Sequence, residues 1–232
     1  MGDFVLVAGT WLGAWAWHEV AAELRRAGHA VRALTLSGLA ERRNTQPAGQ
    51  RMHVRDIVEE VERLDLRDVV LVGHSYAGIP VGQAAERISD RLRRVVFVDG
   101  NVPVNRESFL SGWPSDHVRR AIDDHAGYWP PLGPEDYAGQ GLTDGQIARI
   151  VGGSTPHPGI TLTEPAALAR PLDALPATYV KCLLDGDEPM PAVAALLESD
   201  SWELVTLDTG HWPMFSQPRA LARVLHAAAA RP

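Results

Sequence analysis

The chain has 232 residues, a formal net charge of −7 and 45% hydrophobic residues, enough for one substantial core with an insertion rather than two independent domains. The acidic balance, with arginines scattered along the chain and Lys181 the single lysine, argues against a nucleic-acid partner. The single Cys182 excludes an intramolecular disulfide, no basic-then-apolar leader is visible and no apolar run is long enough to span a bilayer, so a cytoplasmic protein with no membrane partner is expected.

Phe4-Val5-Leu6-Val7-Ala8 is a continuous apolar strand, followed by a loop at Gly9-Thr10-Trp11-Leu12-Gly13. Helical spacing runs over 17–27 and stops at Gly28, and 30–36 is a second strand. Over 53–64, Val54, Ile57, Val58, Val61 and Leu64 share one helical face. Val69-Val70-Leu71-Val72 is a third strand, halted by Gly73-His74-Ser75 and continued as a helix, and Arg94-Val95-Val96-Phe97-Val98 is a fourth. From 101 to 168 the rhythm breaks into proline, glycine and aromatic residues, read as a small, partly helical insertion over the strand ends. Strands at 177–184 and 202–207 then alternate with helices at 192–197 and 218–230. Strands without polar alternation, each followed by a helix, predict an α/β fold: a mostly parallel sheet of about six strands with helices on both faces, built from 1–100 and 169–232. Ligands of such sheets bind outside the carboxyl ends of the strands.

The turn after the third strand carries the chemistry. A serine on a sharp strand-to-helix turn sits in a strained conformation that needs small neighbours two positions to either side, and Gly73 and Ala77 are both small. The strain lifts the Ser75 hydroxyl above the sheet edge, and the helix that starts there directs free N–H groups and a positive dipole end at developing negative charge. The common pattern is Gly-x-Ser-x-Gly; here Ala77 replaces the second glycine and Gly78 follows. A tight βα connection whose serine only caps the helix is the plain alternative.

A hydroxyl needs a base, commonly a neutral imidazole oriented by a carboxylate. Ser75, an acid near 185–188 and His211 each lie just past the carboxyl end of a strand, in the order serine, acid, histidine, and so fall on one rim of the sheet. His18, His53 and His226 fall in predicted helices, His74 sits in the turn with its side chain directed away from the serine, and His117, His125 and His157 belong to the insertion. The candidate acids rank Asp187, Asp185, Asp99, with Glu188 and Asp208 read as solvated loop charges. Two backbone N–H groups, those of Tyr76 and Thr10, are expected to hold an oxyanion. Trp11, Trp113, Trp129 and Trp212, with Phe215, surround the expected mouth and point to a small apolar or aromatic substrate. Because the base must be neutral, activity is expected to fall below about pH 6.5.

These stretches resemble the α/β-hydrolase superfamily, in particular its small-lid branch of methylesterases, hydroxynitrile lyases and bacterial pyrethroid-hydrolase-like esterases. The resemblance lies in Phe4-Val5-Leu6-Val7 with Gly9, Gly13-Ala14-Trp15-Ala16-Trp17, Leu34-Thr35-Leu36-Ser37-Gly38-Leu39-Ala40-Glu41-Arg42 and Val72-Gly73-His74-Ser75-Tyr76, then in Thr155-Pro156-His157-Pro158 and Gly210-His211. It implies an α/β-hydrolase fold with a small helical lid over 101–168, a Ser75, His211 and Asp187 triad, and an oxyanion hole at Thr10 and Tyr76. It also implies hydrolysis of a carboxylic ester through an acyl-serine, with no cofactor and no metal. Two positions depart from the family, which usually has histidine where Ala8 stands and often where Leu12 stands; this bears on the shape of the oxyanion loop.

Other readings compete. Hydroxynitrile lyases of that branch carry a lysine after the histidine, where this chain has Trp212. A receptor on the same scaffold has no need of the full set of side chains, and a non-hydrolytic cyclase of a natural-product intermediate is a further alternative. Gly9-x-x-x-Gly13 invites a dinucleotide-binding oxidoreductase, but Trp11 would obstruct a pyrophosphate and Thr35-Leu36-Ser37 lacks the acid that a ribose requires. The expected partner is a small-molecule substrate, with a homodimer left open.

Overall fold

Alternate residues of a strand face opposite sides of its sheet, and in the central strands of this protein both sets are apolar. The computed structural model describes residues 2–46, 49–112 and 116–231. In chain order its strands are β1 (Asp3–Val7), β2 (Ala30–Leu34), β3 (Val69–His74), β4 (Leu92–Val98), β5 (Tyr128–Trp129), β6 (His157–Pro158), β7 (Ala177–Cys182) and β8 (Trp202–Leu207). β5 and β6 pair antiparallel with each other, and the other six form one parallel sheet in the order β2-β1-β3-β4-β7-β8.

Val5, Val7, Leu71, Val95 and Phe97 enter a core shared with α2 (Gln50–Arg63) and α3 (Gly78–Arg87). Phe4, Leu6, Val70, Val72 and Val96 enter a second core shared with α1 (His18–Arg26) and the C-terminal helix Pro218–Ala229. Burial on both faces is why these strands read as unbroken apolar runs. α1 buries Val20, Ala21 and Leu24 and ends where Gly28, at φ +88°, reverses the chain and donates its N–H to Arg25 O at 3.0 Å. β2 stops at Leu34, two residues short of the expected strand, as the Thr35 hydroxyl turns to accept the Ala14 N–H at 2.7 Å. β7 stops at Cys182, and the chain coils through a turn at Leu183–Asp185 instead of extending to 184.

Between β4 and β7 no described residue joins the large sheet. This stretch carries the helices Asp116–Asp124, Asp144–Gly153 and Gly159–Thr163 with the β5–β6 pair. A buried polar seam ties it to the body. The Gln50 side chain donates to Thr161 O at 3.2 Å, the Gln83 side chain donates to Gln50 at 2.5 Å, and Gln83 accepts the Ala167 N–H at 2.9 Å. His53 donates through Nε2 to Ser37 O at 2.8 Å and faces the Tyr76 hydroxyl through Nδ1 at 3.0 Å. His157 Nε2 lies 2.9 Å from the Thr161 hydroxyl, which itself donates to Pro158 O, so the imidazole is the donor there.

Burial drives the imidazole of His53 down to about 4 and holds that of His157 well below the usual histidine range. Below about pH 6.5 the unfolded chain therefore takes up protons that the folded seam refuses, at about 3 kcal/mol for His53 alone by pH 4. Urea titrations are expected to show the unfolding midpoint falling steeply between pH 6.5 and 4; a midpoint constant across that range would contradict the seam's neutral histidines.

Candidate active site

Ser75 is the first residue past β3 and takes a left-handed backbone at φ +54°, a conformation that a non-glycine residue holds only under the constraint of its surroundings. Those surroundings are crowded. A Cβ at Gly73 would lie 3.0 Å from Ala77 O and 3.0 Å from Val81, and one at Gly78 would lie 2.2 Å from Asn101 O. Position 77, by contrast, accommodates the alanine methyl with complete burial, so the glycine required by close backbone approach stands at 78 rather than 77. The turn Ser75–Ala77 runs directly into α3, leaving its first N–H groups without intrahelical acceptors.

His211 lies past β8, with its backbone held at both ends: its N–H donates to Gln140 Oε1 at 2.6 Å and its carbonyl accepts from His74 Nε2 at 2.7 Å. The ring thus reaches the Ser75 hydroxyl, with Nε2 2.9 Å from Oγ. Its other nitrogen meets two carboxylates, Asp99 Oδ2 at 2.7 Å and Asp185 Oδ2 at 3.5 Å.

Asp187, the acid ranked first from sequence, is not one of them. It is exposed, two residues past Asp185 and beyond Gly186 at φ +94°. The coil at Leu183–Asp185 presents Asp185 to the ring, while the neighbouring strand end supplies the closer group. Asp99, ranked third, follows β4 at φ +42°; its side chain is only 3% exposed, against 46% for Asp185. Its Oδ1 accepts from Lys181 Nζ at 3.1 Å and from the Cys182 N–H at 3.2 Å. The shorter contact and deeper burial make Asp99 the principal partner. From sequence Asp187 ranks first as the acid furthest along the turn, able to curl back toward His211; the signal for Asp99 is a carboxylate directly after an apolar strand on the same rim.

Thr10 is buried in the loop after β1, where a Cβ at Gly9 would lie 2.7 Å from Ser75 Cβ, so that only glycine lets loop and turn meet. Trp11, at φ +64°, is gripped by the insertion: Thr155 N–H donates to its carbonyl at 3.0 Å, its own N–H donates to His157 Nδ1 at 3.4 Å, and its indole N–H donates to Trp129 O at 3.2 Å. Ala8 and Leu12, at the positions where histidine was noted as missing, are packed in the apolar core.

A cavity of about 530 Å³ opens over Ser75 and His211 and is lined by Thr10, Trp11, Phe109, Trp129, Leu132 and Trp212, among others. Trp113 lies outside the described residues. Phe215 is not at the mouth but in the core, 5.7 Å from the Trp15 ring. His117, set aside on sequence grounds, lines the cavity, as does Lys181.

Burial disfavours a charged His211, but the carboxylates of Asp185 and Asp99 outweigh it and raise the imidazole to about 9. This moves it away from the ordinary histidine value on which the sequence expectation rested. Asp99, Asp185 and His211 bring three potential ligand atoms within 4.8 Å of one another, yet Asp99 already holds the Lys181 ammonium and the Cys182 N–H on its other oxygen.

Residues 4–224 match the model of the alpha/beta hydrolase family. This chain belongs to that family. The hydrolase is 31% identical to the carbendazim hydrolyzing esterase of Nocardioides sp. (strain SG-4G), with 98% of this chain and 99% of that one covered. It is 28% identical to methylesterase 9 of Arabidopsis thaliana over 95% of each chain. Among solved structures, an extracellular α/β-hydrolase from a Paenibacillus species, described as sharing structural and functional homology with tobacco salicylic acid binding protein 2, superposes with a TM-score of 0.87 at 22% identity, covering 98% of this chain and 99% of that one. The six-stranded sheet and its flanking helices are thus those of the family's fold. No helix among the described residues is long and apolar enough to cross a membrane.

NMR titration of the His211 ring is expected to give a midpoint raised far above 6.5 toward about 9, and lowered by Asp185→Asn. A midpoint at or below 6.5 in the native protein would contradict the two-carboxylate environment.

Proposed function

We propose that this hydrolase cleaves a small carboxylic ester of apolar or aromatic character through an acyl-serine, with Ser75 as nucleophile, His211 as base and Asp99 as the orienting acid. The observation that carries this reading is the unbroken chain from Ser75 Oγ through His211 (2.9 Å) to Asp99 (2.7 Å) at the floor of the cavity. The esterase names of full-length relatives support ester hydrolysis over a lyase, a cyclase or a receptor.

His211 Nδ1–H donates to Asp99, which leaves Nε2 as a lone pair to accept the Ser75 proton as Oγ attacks the carbonyl carbon. The oxyanion of the tetrahedral intermediate sits on the Tyr76 and Thr10 N–H groups, at the positive end of the helix that begins at the turn. The imidazolium then gives its proton to the leaving alkoxide. A water deprotonated by the same nitrogen releases the acid and restores Ser75. Trp11, Trp129 and Trp212, with Phe109, provide the apolar surface that receives the substrate. The buried, unpaired Cys182 is consistent with a reducing compartment, on which we base a cytoplasmic assignment.

A fluorophosphonate probe is expected to modify Ser75 alone, and Ser75→Ala to lower turnover of short-chain esters by about 10⁴-fold or more. Adduct on another serine, or an active Ser75→Ala, would overturn the assignment. Among the acids, Asp99→Asn is expected to cost about 10³-fold in kcat, Asp185→Asn about tenfold and Asp187→Asn almost nothing; a largest loss at Asp187 would reverse the order argued from the geometry. Since the base must be neutral, kcat/KM should fall as pH drops through the raised His211 value and hold on its alkaline side. A profile flat from pH 6.5 to 9 would exclude His211 as the base.

A further inference from the structure

Lys181 is the one lysine of the chain and stands in β7 between Val180 and Cys182, both fully buried. Its side chain is 6% exposed, and a buried ammonium is retained only where acceptors surround it. Nζ donates to Asp99 Oδ1 at 3.1 Å and to the Asp185 carbonyl at 3.0 Å, so that one ammonium touches both residues whose carboxylates face His211.

We propose that Lys181 is a positioning residue of this site: it clamps the Asp99 carboxylate against His211 and offsets the negative charge gathered around that imidazole. The inference rests on the reading of His211 as base and Asp99 as its acid.

Three observations argue for it. Asp99 has one oxygen for His211 and one for Lys181 and the Cys182 N–H, so the ammonium fixes the direction of the oxygen that meets Nδ1. The groups facing the His211 ring are Ser75 and the neutral His74 from the β3 end, Asp99 from the β4 end and Asp185 from the β7 turn, with Trp212 edge-on. The insertion adds Gln140 at the His211 backbone, while Asp136, His117 and Glu188 line the wider cavity. Among these charged groups Lys181 is the fixed cation, set against four carboxylates. With two carboxylates at its Nδ1 edge and no such cation, the imidazole would hold its proton to still higher pH and be unavailable as a base over more of the ordinary range.

Removing one partner of a buried ion pair strands the other, so Lys181→Met costs stability whichever role the lysine plays. The two roles are separated by a readout that a loss of stability alone does not move. The readout is kcat/KM for p-nitrophenyl acetate against pH, a probe whose leaving group needs no proton and which reports the base in the free enzyme. In Lys181→Met the acid limb is expected to move up by about one pH unit with kcat about tenfold lower, and Lys181→Arg is expected to bring the limb back. A limb that stays in place or moves down in a folded Lys181→Met would overturn the proposal. Should Lys181→Met fail to fold, protein labelled with ¹⁵N-lysine gives a single Nζ signal. Its shift is expected to inflect with the His211 titration and to lose that inflection in His211→Phe; an Nζ signal insensitive to His211 would equally overturn it. Turnover that survives Ser75→Ala would instead defeat the underlying esterase assignment, whatever Lys181 does.

Discussion

The site depends on a carboxylate that has almost no contact with water. Asp99 stands at the end of a strand buried on both faces, where an ionised group is tolerated only if its lone pairs are engaged. All the available partners come from the neighbouring strand β7 and from His211: Lys181 Nζ, the Cys182 N–H and His211 Nδ1. The register that sets β4 beside β7, with Val98 opposite Val180, brings these groups to one level of the rim. Sheet pairing and charge placement are therefore the same constraint, and a slip of one residue in β7 would turn Lys181 to the other face and strand the carboxylate.

From that anchor the geometry runs outward. Asp99 holds the imidazole, the imidazole meets the Ser75 hydroxyl, and the strained backbone at Ser75 points that hydroxyl into the cavity. His74, one residue before the serine, donates to the His211 carbonyl, so the β3 end fixes nucleophile and base together. Burial keeps His74 well below the usual histidine range, which makes it a neutral strut rather than a competing base.

Much of this was legible in the chain. Unbroken apolar strands announce a parallel sheet, and the Gly73-His74-Ser75 turn and His211 announce one shared rim, because their positions follow from local pattern alone. Asp187 ranks first in the sequence yet is not brought to the His211 ring, for a physical reason: choosing among three carboxylates requires knowing where β7 ends and how Leu183–Asp185 coil, which depends on packing rather than on spacing. Lys181 and His157 stand out in the sequence but their roles do not, because each makes sense only through a partner more than eighty residues away, Asp99 in one case and Trp11 in the other. A lone lysine inside an apolar strand was nonetheless a signal, since such a charge must find a counter-charge when the strand is buried.

The two departures from the family pattern, Ala8 and Leu12, find an answer in the insertion. With apolar side chains there, the loop around Thr10 has no imidazole of its own to brace it. Thr155 and His157 supply the bonds from across the cleft, holding Trp11 by its carbonyl and its N–H. Gln140, from the same insertion, holds the N–H of His211. The loop proposed to receive the oxyanion and the residue proposed as base are thus both fastened to the segment that roofs the cavity. Lifting that segment as a rigid lid would release Trp11 and His211 at once, so passage of substrate is better served by an exposed lining side chain such as Met190 than by movement of the whole insertion.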